Sequence, residues 1–245
     1  MIRLCCALAI ATAAFLTLRA AAPAAQPASE QFHYNVNWPS GLSLGEASLS
    51  FSKIAATDDK PASLHSELTI DAAIPGFRVS DKFSSSASVE YCSTRFDKKL
   101  RHGYRKADEL LKFDQEHSTV SRETLTESHE TGDDLGKSDV GTPACAKDGL
   151  AFLAFLRHEL ANGRLPQQQT VFVGAAYDVK LDFRGAEAVK VGESSMQADR
   201  VNVSLHGPAS SIDLVIFFAK DAGRTPVLFR VPLALGTFSM ELIKP

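Results

Sequence analysis

Phe32-His33-Tyr34-Asn35-Val36-Asn37-Trp38 puts every apolar side chain on even positions and every polar one on odd positions. A period of two is the signature of a half-buried β-strand, because successive side chains point to opposite faces. Pro39-Ser40-Gly41 then supplies turn chemistry, and Ala47, Leu49 and Phe51 alternate through the stretch Leu44 to Ile54. The two runs read as an antiparallel hairpin.

Moving outward, the same period returns at Leu64, Leu68 and Ile70, and again along Val79, Phe83, Ala87, Val89 and Tyr91, where Ser84-Ser85-Ser86 reads as keeping one face polar. From Asp97 to Lys137 the chain is strongly charged. Its apolar alternation at Leu110 to Phe113 and Val120 to Leu125 reads as two exposed strands, with Gly132 to Gly141 as the longest turn. Toward the C-terminus, strand patterns occupy 170–173, 177–183, 188–191, 200–205, 212–219, 227–231 and 238–243. Ile212 to Phe218 is apolar on both faces, as a central strand requires.

One segment breaks the pattern. Asp148 to Gly163 contains Leu150, Phe152, Leu153, Phe155, Leu156 and Leu160 with no alternation. Asp148 fits a helix N-cap and Asn162-Gly163 a helix end. Such a helix is apolar nearly all round in its first turns, so it must be buried on most sides. The expected fold is therefore mainly β: antiparallel curled sheets, or a barrel-like body of about a dozen strands, packed around one buried apolar helix at about 147–162.

The N-terminus reads as a leader. Arg3, the apolar run Leu4 to Leu18 and the small-residue stretch Ala20 to Ala25 form the three regions of a cleavable signal peptide, assigned to residues 1–24. A membrane span needs about 20 apolar residues, more than this run offers. Residues 25–31 are expected to be flexible, and 32–245 to form a single β-rich domain. Cleavage removes Arg3 and Arg19 but no acid, so 26 basic residues become 24 against 29 acidic ones, a formal charge of −5. That balance disfavours nucleic acid as a partner. No later stretch is apolar enough to span a bilayer, so the mature chain is expected in a periplasm-like or extracellular space. There, Cys92 and Cys145 invite one disulfide, the alternative being two separate buried thiols.

No motif names a reaction. His158-Glu159 begins like a zinc-protease helix, but position 162 is Asn, and the seven histidines are scattered singly. Gly192-Glu193-Ser194 lacks the second glycine of a nucleophile elbow. No catalytic, cofactor or metal residues are assigned and no cofactor is expected. The basic run Lys98 to Lys106 reads as a solvated hairpin rim neutralised by Asp97, Asp108 and Glu109. Arg157 stands out more: a guanidinium on an apolar helix needs a carboxylate or carbonyl partner, and a structural ion pair is its expected use.

Three stretches together resemble the bacterial exported family known as domain of unknown function 3108. They are Tyr34 to Gly41 with Trp38, followed by Gly45 and Ala47; the helix Asp148 to Arg157 with Leu160 and Gly163; and Asp221-Ala222-Gly223-Arg224-Thr225-Pro226-Val227 with Gly236, Glu241 and Leu242. The resemblance implies a compartment and a β-rich architecture but brings no reaction. Trp38, Arg157, Asp221 and Arg224, which lie within these stretches, are the structural or functional candidates, and the cysteine pair resembles a subgroup feature. The expectation is a non-enzymatic envelope protein that binds a lipid, another apolar or amphiphilic small molecule, or an envelope protein partner. The alternatives are an enzyme acting on cell-wall or polysaccharide substrates and a structural or assembly factor.

Overall fold

The computed structural model describes residues 29–74, 76–125, 136–233 and 236–243. The expected leader at 1–24 lies outside the described residues. The chain forms β1 (Ser29–Asn37), β2 (Ser43–Ile54), β3 (Ser63–Ile74), β4 (Phe77–Ser88), β5 (Ser93–His102), β6 (Arg105–Asp114), β7 (Thr119–Thr124), β8 (Lys137–Gly141) and β9 (Lys147–Asp148). Helix α1 (Gly149–Ala161) follows, then β10 (Gln169–Val173), β11 (Ala175–Val191), β12 (Ser194–His206), β13 (Ser211–Ala219), β14 (Pro226–Leu233) and β15 (Gly236–Leu242).

All fifteen strands belong to one sheet, ordered β8-β7-β6-β5-β4-β3-β2-β1-β15-β14-β13-β12-β11-β10-β9. Two antiparallel meanders meet where β1 pairs with β15, Tyr34 lying opposite Leu242. The short β9 adds to β10 in parallel. The sheet is curled and unclosed, with β8 and β9 at its two ends. The first hairpin pairs as its alternation predicts, Phe32 opposite Leu49 and Tyr34 opposite Ala47. Gly45 lies so close to β3 that a Cβ there would collide with the Asp71 carbonyl oxygen, which leaves glycine as the residue that fits.

Helix α1 is what the curl wraps. Leu150 packs with Tyr34, Leu49, Phe96 and Leu111 from the N-terminal meander. On other faces of the helix, Phe152, Leu156 and Leu160 pack with Val171, Val179, Val201 and Phe218 from the C-terminal meander. The helix thus joins two apolar interiors, and this is why its sequence carries no single apolar stripe. A third cluster sits around Phe217, Leu228, Ala198 and Val189. Phe217 and Phe218 belong to different clusters and both are fully buried, so β13 is covered on both faces as its sequence predicts.

Several expectations are corrected. The strand count among the described residues is fifteen rather than about a dozen: the charged region holds β5, β6 and β7 instead of two exposed strands, and the short β8 and β9 are additional. Phe96, Leu111, Phe113 and Val120 point inward there; Lys98–Glu109 pairs on that same face, and Arg101–Asp108 and Lys112–Glu123 pair on the other. Opposite charges set across a ladder let a charged face form a strand. Lys137–Gly141, read as turn, is the end strand β8, and 126–135 lie outside the described residues. The patterns at 177–183 and 188–191 are one strand, β11, whose register shifts between Phe183 and Gly185. β4 stops at Ser88, and Tyr91 has a positive φ of 66° in the following turn. Finally, Ser29 to Gln31, assigned to a flexible segment, are paired with β2.

Candidate functional site

The site grows from the two ends of α1. At its start, Asp148 accepts hydrogen bonds at Oδ1 from the Leu150 and Ala151 amides, at 2.8 and 3.0 Å. Its Oδ2 accepts from the hydroxyls of Ser85 and Ser93, at 2.6 and 2.7 Å. The carboxyl is fully buried. Burial pushes its pKa up, against the four hydrogen bonds that favour the charged form. Because both oxygens are satisfied, this is an anchor for the helix. Ser85 shares the odd-numbered face of Phe83 and Ala87 and is buried with Ala87.

The segment before the helix is tied down as well. Cys92 and Cys145 form a disulfide with their Cα atoms 4.6 Å apart. Gln115 donates to the carbonyls of Ser93 and Ala146, and the Ser93 amide donates to Ala146. Lys147 is buried, its Nζ donating to the Cys145 carbonyl at 3.1 Å and lying 4.7 Å from the centre of the Phe155 ring. Desolvation lowers its pKa.

Toward the other end of α1, Arg157 is 3% exposed. Its Nε donates to the Arg224 carbonyl at 3.2 Å, and its guanidinium lies over the rings of Phe51 and Phe32, 4.6 and 5.3 Å from their centres. Nη2 is 2.9 Å from Glu30 Oε2, yet it is a buried nitrogen with no aligned hydrogen-bond acceptor. Beside it opens a cavity of about 40 Å³ lined by Glu30, Phe51, Leu64, His65, Tyr91 and Arg157, among others. Tyr91 also stacks near Phe155 and His158, 5.9 and 5.5 Å between ring centres. Burial raises the Tyr91 pKa, with Arg157 opposing.

The loop between β13 and β14 closes the back of this pair. Asp221 accepts from the Thr225 amide at 2.9 Å, and Arg224 Nη1 lies 2.6 Å from Asp199 Oδ2. A Cβ at Gly223 would stand 3.1 Å from Glu30 Oε1 and 3.4 Å from Arg157 Nη2. The Tyr34 hydroxyl donates to the Pro226 carbonyl at 2.8 Å, and burial raises the pKa of that phenol.

Of the residues singled out from sequence, Arg157, Asp221 and Arg224 come together here, while Trp38 does not. Trp38 packs edge-to-face on Phe238, 4.9 Å between ring centres, beyond the end of β1 opposite to Glu30. Glu30, Tyr91, Ser93 and Lys147 were missed. The first had a signal: Glu30 shares the even-numbered face of Phe32, Tyr34 and Val36, so the alternation carried two residues further back marks an inward-facing acid. Among the described residues, no three His, Cys, Asp or Glu side chains gather as metal ligands, and no helix is long and apolar enough to cross a membrane.

A curled, unclosed sheet around a helix, with a small cleft beside that helix, defines a mainly β protein built on one open sheet. The chain belongs to the family described as "Protein of unknown function (DUF3108)", whose model matches residues 33–243. Its fold is similar to that of a β-barrel-like protein of domain of unknown function DUF1849 from Brucella abortus, known from a crystal structure. The two share 7% identity over 87% of this chain and 95% of that one, with a TM-score of 0.56. This likeness concerns the fold alone. No curated protein matches the chain.

Proposed function

We propose that the chain is an exported, non-enzymatic binding protein of the bacterial envelope whose ligand sits in the cleft beside α1. The observation that carries this reading is Arg157: a guanidinium buried among apolar side chains, with one nitrogen lacking an aligned acceptor, beside a cavity. Its Nη2 meets the Glu30 carboxylate at 2.9 Å without an aligned hydrogen bond, so a ligand oxygen reaching the guanidinium from the cavity would improve its hydrogen bonding. The walls mix Phe51, Leu64 and Ala154 with polar groups, which favours an amphiphilic ligand over a purely apolar one. The disulfide, and a leader expected from sequence, support the exported compartment.

The enzyme reading is less well supported at this cleft. A glycosidase-type mechanism uses two carboxyls flanking the scissile bond, and Glu30 is the single carboxylate among the lining residues, already facing Arg157. Native mass spectrometry of protein purified without detergent, followed by organic extraction, tests the binding reading. A stoichiometric bound small molecule is expected. A uniformly unliganded mass, together with no thermal shift across panels of amphiphiles, counts against it.

A further inference from the structure

Resting on that reading, we propose that the Arg157 cleft is selective for an anionic head group, a carboxylate or a phosphate monoester, carried on an apolar stem. Three observations carry this. First, Arg157 lines the cavity, and its guanidinium meets Glu30 at 2.9 Å through Nη2 without an aligned hydrogen bond. A guanidinium presents its donors in a planar fork that fits carboxylate and phosphate oxygens, so an anion can take a position that the Glu30 carboxylate touches but does not fill.

Second, the lining is richer in positive than negative charge. Arg157 and Lys53 stand against Glu30, with the Ser52 and Ser66 hydroxyls, the His65 ring and Tyr91 also present. Third, size limits the occupant. A water needs roughly 10–15 Å³ by this measure, so about 40 Å³ admits the volume of a carboxylate or phosphate head rather than of a long chain. Phe51, Leu64, Ala154 and Tyr91 are the lining groups that meet the first carbons of the stem.

The test is isothermal titration of the full chain, cleared of any co-purified ligand by mild organic washing, with hexanoate, hexyl phosphate and hexanol. Dodecanoate and dodecanol extend the series, and inorganic phosphate serves as the stemless control. Both six-carbon anions are expected to bind at least tenfold more tightly than hexanol. If the alcohols bind as well as the acids, the binding reading stands and the anion selectivity is overturned. If none of the probes binds, both fail. Preference for dodecanoate over hexanoate assigns the anion to a lipid end, and the reverse assigns it to a free small molecule; each supports the anionic head.

Glu30→Gln gives a second readout that does not depend on removing the arginine. Taking away the carboxylate beside Nη2 leaves the ligand anion as the sole counter-charge there. Hexanoate affinity is therefore expected to rise about tenfold while hexanol affinity stays fixed. Unchanged or weakened hexanoate binding in a folded Glu30→Gln protein overturns Arg157 as the anchor.

Discussion

Ser93 and Asp148 are bonded to each other twice through one hydroxyl: Ser93 Oγ donates to Asp148 Oδ2 at 2.7 Å and accepts from the Asp148 backbone amide at 2.8 Å. With Ser85 on the same carboxylate oxygen and two helix amides on the other, the start of α1 is fastened to β4 and β5 without any cation among these partners. The helix packs against both meanders inside the curled sheet, so this fastening fixes how they pack around it.

Two substitutions at this residue separate hydrogen bonding from charge. Asp148→Ala leaves two hydroxyls and two amides without their acceptor, and is expected to cost about 3–4 kcal/mol in urea denaturation. Asp148→Asn keeps an acceptor for the amides and does not titrate. Because burial raises the Asp148 pKa in the folded state, the folded protein holds the proton to higher pH than the unfolded chain. Ionisation then costs the folded state more, so its contribution is largest below the unfolded value near about 4 and declines as pH rises above it. The stability of the native protein relative to Asp148→Asn is expected to shrink from pH 4 upward. A difference that widens with pH contradicts this.

Glu109 is expected to show the opposite dependence. Burial would raise its pKa, but hydrogen bonds from Arg122 and Lys98 outweigh that and hold it below the usual range. Its oxygens lie 2.7 Å from Arg122 and 2.9 Å from Lys98. A carboxyl with a lowered folded pKa adds stability that is present above its unfolded value, about 4.3, and lost as pH falls through the folded one. Relative to Glu109→Gln, the native protein should therefore lose its advantage below about pH 4, read from urea midpoints. An advantage that persists to pH 2 is inconsistent with the network.

How these features were encoded explains what a reading of the sequence reaches. Clean alternation from Phe32 to Trp38, and its absence from Leu150 to Leu160, fix the β1–β2 hairpin and the buried helix because burial on one face or on all faces leaves a direct trace. β5 to β7 are harder to see, since their charges, Lys98 and Glu109 on the inner face included, are neutralised only across the ladder, and pairing partners are not adjacent in sequence. The cleft was half legible. Arg157 declared its need for a partner by being charged on an apolar helix, but Glu30, 127 positions away, is brought to it only by the wrapping of β1 against α1. Trp38 carried no such chemical demand, and its packing on Phe238 is ordinary core.

The disulfide offers a direct stability measurement. Cys92 and Cys145 are 53 residues apart in sequence, and chain-entropy arguments give on the order of 4 kcal/mol for closing a loop of that length. Cys92→Ser with Cys145→Ser, or reduction in denaturant, should lower the unfolding free energy by about that amount. Thiol titration of the native-purified protein, denatured without reductant, should find no free thiol at these positions. A full thiol count there, or a change under about 1 kcal/mol on reduction, removes the bridge as a stabilising element.

The Glu30–Arg157 pair makes the sharpest energetic prediction, because the two charges differ in their access to water. Arg157 is 3% exposed and Glu30 15% by side chain, so losing the acid strands a buried cation, whereas losing the cation leaves an acid that water still reaches. Breaking a buried pair from one side costs about 3–5 kcal/mol. Allowing for partial solvent access, Glu30→Gln should cost about 2–3 kcal/mol. Arg157→Met loses the contacts over Phe51 and Phe32 but strands less charge. In the double variant no unpaired charge remains, so its cost should fall below the sum of the two singles by about 2 kcal/mol. A coupling within about 0.5 kcal/mol of zero would mean that Glu30 and Arg157 are held by the surrounding fold and contribute independently to it.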